Sequence, residues 1–275
     1  MSNKPQAFQA RKRFGQNFLH DAGVIGRIVK AIHPQPGQRL VEIGPGMGAL
    51  TQEIIAAAGE MDVVELDRDL IPILRTNLFR HIDGLRVHEA DALKFDFASL
   101  AQPGEKLRIV GNLPYNISTP LIFHLLSYTG LVADMHFMLQ KEVVERLAAG
   151  PGDANYGRLG IMAQYDCAVQ PLFIVGPGAF NPPPKVDSAI VRLVPHNERP
   201  HPAQDRKALE EVVRTAFSQR RKTLRNTLKP LLSSEQIESL GLNPSDRPEH
   251  LTLADYVRLS DLLVSLRQQQ GEADE

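Results

Sequence analysis

The sequence holds a single cysteine, Cys167, among 275 residues. One cysteine excludes an internal disulfide framework and a thiolate metal cage. Apolar Ala168 and Val169 follow it, which predicts a buried structural thiol rather than a reactive one. No apolar run is long enough to cross a bilayer. The best, Leu131 to Leu139, is short and carries Asp134 and His136 inside it. The amino terminus lacks the apolar core of a secretory signal, so a cytoplasmic protein is expected. His20, His81, His88 and His124 are scattered without metal-ligand spacing, and no metal is expected. There is neither the His-x-Glu and Pro-Cys-x-x-Cys pattern of a zinc deaminase nor a Gly-x-Ser-x-Gly nucleophile elbow.

Hydrophobic residues make up 43% and charged residues 23%, the balance of a globular chain with room for one large domain or a domain plus a smaller one. A net charge of −1 does not by itself suggest a nucleic-acid partner, but its distribution is uneven. The first 19 residues carry Lys4, Arg11, Lys12 and Arg13 and no acid. Residues 214–229 carry Arg214, Arg220, Arg221, Lys222, Arg225 and Lys229, again with no acid. Each island alone is equally a solvated helix face or a phosphate-binding surface.

Apolar periodicity predicts a helix capped by Asp21 and stopped by Pro34, then strands at Arg39–Ile43, Met61–Leu66, Leu85–His88, Leu107–Gly111 and Met135–Leu139, with helices between them. This alternation predicts an open, mostly parallel α/β sheet of Rossmann-like type. Ala168–Val175 and Ser188–Val194 read as an antiparallel pair at its edge, joined through a proline-stiffened loop, Phe180 to Asp187. After a polar, proline-bearing linker the chain turns helical: Asp205–Phe217, Arg220–Leu232, Ser234–Leu240 and Leu253–Arg267, with a disordered tail from Gln268. The expected organisation is a basic segment (1–20), a Rossmann-like domain (21–197) and a smaller all-α domain (198–275).

The first strand runs into Glu42-Ile43-Gly44-Pro45-Gly46-Met47-Gly48. Glycines here let the backbone approach a ligand and aim helix amides at it. Gly44, Gly46 and Ala49 also satisfy the dinucleotide fingerprint, so a nicotinamide enzyme is an alternative at this point. Glu65, about 20 residues on, can accept ribose hydroxyls from either cofactor. Glu42 suits a cationic ligand such as a sulfonium and gives nothing to a pyrophosphate. Asp91 follows the third strand and could accept from an adenine amine. Together these residues favour S-adenosylmethionine.

Asn112-Leu113-Pro114-Tyr115 follows a strand at the sheet edge where such folds bind ligands. An adenine amine is a poor nucleophile because its lone pair is delocalised into the ring. Two fixed acceptors, the Asn112 side-chain oxygen and the Leu113 carbonyl, would hold its hydrogens while the nitrogen pyramidalises. Pro114 stiffens the turn, and Tyr115 offers a face for the base. Orientation and fixed dipoles would supply most of the catalysis. The base must be flipped out or presented from a loop, and Phe180 is a candidate second stacking wall, or else a core residue.

Four motifs in order carry a family resemblance: Arg13-Phe14-Gly15-Gln16-Asn17-Phe18-Leu19, the glycine turn at 42–48, Asn112-Leu113-Pro114-Tyr115-Asn116-Ile117-Ser118, and Pro182-Pro183-Pro184-Lys185-Val186-Asp187-Ser188. Over residues 10–265 the chain resembles the ribosomal RNA adenine dimethyltransferases, in particular their bacterial small-subunit branch. The resemblance implies dimethylation of two adjacent adenosines in the 3′-terminal hairpin loop of 16S rRNA, within an immature small subunit. It also implies that Asn17, Leu19, Gly44, Glu65, Asp91 and Asn112 contact the cofactor; nothing else in the sequence singles out Asn17 and Leu19. A monomer is expected. The macrolide-resistance relatives that act on 23S rRNA are an alternative, weakened by their tendency to Asn-Ile-Pro-Tyr and their lack of the Pro-Pro-Pro-Lys-Val-Asp run. A non-catalytic assembly factor is another.

Overall fold

The structure, a computed structural model, describes residues 16–219 and 221–273. A short strand β1 (Phe18–Leu19) precedes α1 (Ala22–Ile32), β2 (Arg39–Ile43), α2 (Ala49–Ala58), β3 (Met61–Glu65), α3 (Leu70–Asn77) and β4 (Leu85–Glu89). Then come β5 (Leu107–Asn112), α4 (Ser118–Leu126), β6 (Val132–Gln140), α5 (Lys141–Ala148), α6 (Arg158–Asp166), β7 (Cys167–Val175), β8 (Phe180–Asn181) and β9 (Ser188–Pro195). Seven strands form one sheet in the order β4-β3-β2-β5-β6-β9-β7. It is parallel from β4 to β6 and antiparallel between β6 and β9. The chain builds outward from β2 to β4, then returns to lay β5 on the other side of β2. Sheets of this kind open a crevice beyond the carboxyl ends of the strands at such a reversal.

Local chemistry sets the element ends. Asp21 starts α1 by accepting the Val24 N–H at 2.9 Å. At its other end Arg108 donates to the Ile32 carbonyl at 2.6 Å and grips Asp134 through two bonds of 2.9 Å. That grip explains why β6 begins at Val132 and not at Met135. Once paired, Asp134 can be carried into the sheet. Ile28, Ile32, Leu40, Ile54, Ile55, Met61, Val63 and Leu74 are buried together in the core. Each such side chain contributes about 1.5–3 kcal/mol of apolar burial.

The chain divides into two compact units. One runs to Val144 and adds Gln170–Pro195; the other takes Glu145–Val169 and the chain from His196 onward. The helical unit therefore includes a stretch well upstream of residue 198. Its later helices are α7 (Arg206–Ala216), α8 (Leu224–Thr227), α9 (Ser234–Ser239) and α10 (Leu253–Ala273). Within it Asp166, fully buried, is held by Arg199 and Arg206 at 2.9 and 2.7 Å. Cys167 is buried as expected, and burial pushes its thiol up to about 12.

Two helical expectations change. The helix expected over Arg220–Leu232 shrinks to Leu224–Thr227. Thr223 sits in an extended conformation before it, and Pro230 can neither donate to a helical carbonyl nor avoid the turn behind it. The tail expected from Gln268 is instead the continuation of α10 to Ala273.

Candidate active site

A cavity of about 840 Å³ lies at the carboxyl ends of β2, β3 and β5. Its floor is the turn after β2, where Gly44, Gly46 and Gly48 all have positive φ, at 67°, 57° and 91°. Side chains rarely adopt that conformation. A Cβ on Gly48 would also stand 2.8 Å from the Leu74 side chain, and one on Gly46 3.1 Å from the Phe18 ring. The turn is thus closed to larger residues both by its backbone and by what packs on it.

Four acids stand on a largely apolar wall. Glu42, Glu53, Glu65 and Asp91 line the cavity, and among the described lining residues there is no lysine or arginine. Glu65 is 6% exposed; it accepts the Asp67 N–H at 2.8 Å and the Gly46 N–H at 3.3 Å. Burial lifts its carboxyl above the usual range despite these bonds. Glu42 is more deeply enclosed, and its partner is the Thr51 hydroxyl at 2.6 Å. Its pKa is pushed up to about 7, first by burial and then by the nearby Glu65 charge. Glu42 gives nothing to an anionic pyrophosphate, which weighs against the dinucleotide alternative. A cationic ligand would relieve both acids.

The far end of the cavity is the turn Asn112-Leu113-Pro114-Tyr115. Asn112 Nδ2 donates to the Asn17 carbonyl at 3.1 Å, which fixes the amide orientation. Its Oδ1 is left with no donor among the described residues. The Leu113 N–H donates to the Met138 carbonyl of β6 at 3.1 Å. Ile117 closes the turn onto the Pro114 carbonyl, also at 3.1 Å. Tyr115 is half-buried, with its hydroxyl 2.6 Å from Ser188 Oγ, and burial raises its pKa. This end can therefore offer two acceptors and an aromatic face, but no base.

The sequence profile of the ribosomal RNA adenine dimethylases matches residues 7–265. The chain belongs to that family. It is 66% identical over its whole length to ribosomal RNA small subunit methyltransferase A of Marinobacter nauticus, spanning 99% of that protein. It is also 66% identical to the protein of the same name from Pseudomonas aeruginosa, over 94% of this chain and 96% of that one. Among solved structures it resembles a dimethyladenosine transferase from Plasmodium falciparum. That likeness has a TM-score of 0.76 and 28% identity, over 92% of this chain and 98% of that one. The 23S rRNA methyltransferase ErmE also aligns, with a TM-score of 0.69 and 25% identity over 90% of this chain and all of that one. The Rossmann-like methyltransferase fold is shared by these neighbours.

The cavity brings together Asn17, Leu19, Glu42, Gly44, Gly46, Glu65, Asp91, Asn112, Leu113, Pro114 and Tyr115. Phe180 is the exception: of the two places expected for it, a stacking wall or the core, the described chain has it in the core. Its side chain is 3% exposed, sits in the core cluster and is not on the cavity wall. Phe180 pairs with Leu19 of β1, so the two side chains share a face, and both pack in that core cluster. Arg11, Lys12, Arg13 and Arg220 lie outside the described residues. Arg221, Lys222 and Arg225 are exposed, and no described acid pairs with them. The sequence reading missed Gln16, whose amide donates to Asp67 at 3.0 Å, as well as Thr51 and Ser188. Gln16 and Ser188 stand inside the quoted motifs, so the motifs were the only available signal for them. Thr51, nine residues after Glu42, lies in the first turn of α2.

Proposed function

We propose that the chain dimethylates two adjacent adenosines in the 3′-terminal hairpin loop of 16S rRNA, using S-adenosylmethionine, within an immature small subunit. It acts in the cytoplasm as a monomer. The observation that carries this reading is the pairing of opposite ends in one cavity: a wall with acids and no described lysine or arginine, beside two fixed acceptors and a tyrosine. The name borne by relatives at 66% identity supports the small subunit over 23S rRNA as the target.

The residues present suit such a cofactor. Glu65 and Asp91 would accept from its ribose and its adenine amine, while the Gly44–Gly46 backbone lets it approach. The ionised Glu42 would face its positive charge. Asn17 and Leu19, which line the cavity from the amino-terminal side, would close over it. When bound, it would supply a sulfonium methyl to the adenine N6 lone pair, the S–CH3 bond being exchanged for N–CH3 and the N6 proton going to water. Asn112 Oδ1 and the Leu113 carbonyl hold the amine hydrogens and stabilise the charge developing on nitrogen. Tyr115 stacks against the base and limits its rotation. No general base is required, because the proton becomes acidic only once nitrogen carries the extra carbon.

Arg11, Lys12, Arg13, Arg220, Arg221, Lys222 and Arg225 bind rRNA phosphates in this reading. Neutralising Arg220, Arg221, Lys222 and Arg225 together should weaken subunit binding and flatten its salt dependence, by a slope of about 0.7–0.9 for each phosphate no longer neutralised. Mass spectrometry of 16S and 23S rRNA from cells with and without this chain tests the assignment. Dimethyladenosine should vanish from 16S rRNA alone. A loss confined to 23S rRNA would overturn the assignment in favour of the macrolide-resistance type, and no loss from either would leave an assembly factor.

A further inference from the structure

The Tyr115 ring is anchored through its hydroxyl to Ser188, a residue outside the catalytic turn. Ser188 is fully buried at the first position of β9, where it pairs with Gln140 of β6. The chain is pinned there again by the Lys141 N–H, which donates to the Asp187 carbonyl at 2.9 Å. Met138, whose carbonyl takes the Leu113 N–H, lies two residues before Gln140 on the same β6. One acceptor and the stacking ring are therefore both referenced to a single pair of strands. Asn112 is held separately, by the Asn17 carbonyl.

We propose that Ser188 is a positioning residue that sets the extent of methylation, by fixing the Tyr115 ring for the second methyl transfer. The inference rests on the function proposed above and deepens it. An unmethylated adenine amine has two hydrogens, one for Asn112 Oδ1 and one for the Leu113 carbonyl. A monomethylated amine has one. In the second transfer its lone pair forms another N–CH3 bond, a second sulfonium S–CH3 bond breaks, and the remaining N6 proton leaves to water. The base then enters with one hydrogen bond fewer, so stacking must supply more of its orientation. A stack orients well only when the ring beneath it cannot tilt. The hydroxyl-to-Ser188 bond removes that freedom at the far end of the ring, where a small tilt displaces the base most.

The test follows monomethyl- and dimethyladenosine over time by mass spectrometry, on small subunits from cells lacking this chain. Ser188→Ala should slow the second transfer about fivefold more than the first, the loss expected for one hydrogen bond, so that monomethyladenosine accumulates. Tyr115→Phe keeps the ring and loses the same bond from its other side, so it should give the same product ratio. The double variant should be no worse than either single one. Because Tyr115→Phe leaves Ser188 in place, a folding defect at β9 cannot imitate that result. A wild-type product ratio in Tyr115→Phe, or equal slowing of both steps, overturns the inference. Absence of any methyladenosine with the wild-type chain would instead sink the proposed function itself.

Discussion

The two ends of the cavity are held in different ways. At the acidic end the partners are close in sequence: Glu65 takes N–H groups 2 and 19 positions away, and Glu42 takes a hydroxyl 9 positions away. At the Asn112–Tyr115 end the partners are 95 and 73 positions away, on the segment before α1 and on β9. The first arrangement forms with its own β-turn-α units. The second exists only when β6, β9 and the amino-terminal segment have assembled around β5. Substitutions at the acidic end should therefore act mainly on cofactor binding, and substitutions at the far end on turnover.

The largest effect expected is at Asn112. Asn112→Ala removes the side-chain amide acceptor at the far end and the bond to Asn17, so methyl transfer should fall by about 10²–10³ or more, with rRNA binding largely kept. Single-turnover kinetics beside a subunit-binding assay would separate the two. Unchanged dimethyladenosine formation would break the contrast and the mechanism with it. Next is Glu65→Ala. It leaves the Gly46 and Asp67 N–H groups without their acceptor and removes the proposed ribose partner, so KM for the cofactor should rise about 10- to 100-fold while kcat changes little. A loss mainly in kcat would show that the two ends are not separable.

How much of this was legible in the sequence follows the same division. Glu42, the glycine turn, Glu65 and Asp91 could be read from spacing, because a strand, a turn and a helix fix their places with few residues between. The strand–helix alternation was legible for the same reason. The clamps on the far end were not, since nothing near Asn112 points to Asn17 and nothing near Tyr115 points to Ser188. Whether Phe180 lies on the wall or in the core could not be read, because the two-residue ladder of β1 and β8 is too short to leave a periodic signal. Asp134 misled in the opposite sense. It looked like the limit of a strand until Arg108, 26 positions away, neutralised it.

Glu42 gives a smaller and pH-dependent effect. Its carboxyl is raised from the ordinary 4.5 to about 7 in the folded, ligand-free chain. A cation favours the ionised form, so cofactor affinity should fall up to about tenfold per unit as pH drops below about 7, and level off above it. Stability runs the other way. The folded chain keeps a proton that the unfolded chain releases, so ligand-free stability should fall as pH rises from 4.5 to about 7, by roughly 3 kcal/mol, and stay flat beyond. Glu42→Gln keeps an acceptor for Thr51 and should flatten both profiles. Isothermal titration and urea melts across pH 5–8 would show it, and a persisting slope in the variant would assign the titration to another group.

The smallest effect bears most directly on whether the two ends are independent. Gln16 donates to Asp67 Oδ2 at 3.0 Å, and Asp67 in turn donates its N–H to Glu65. The next residue, Asn17, takes the Asn112 amide. Neighbouring residues of one segment thus reach opposite ends of the cavity. Gln16→Ala removes one partly exposed hydrogen bond, worth about 1 kcal/mol, and should weaken cofactor binding only about fivefold. If the segment is merely a cover over the acidic end, kcat should stay at its wild-type value. If kcat falls with the affinity, loosening Gln16 has loosened Asn17 as well. The position of Asn112 would then depend on the bond between Gln16 and Asp67, and closing the segment over the cofactor would be the event that sets the catalytic amide.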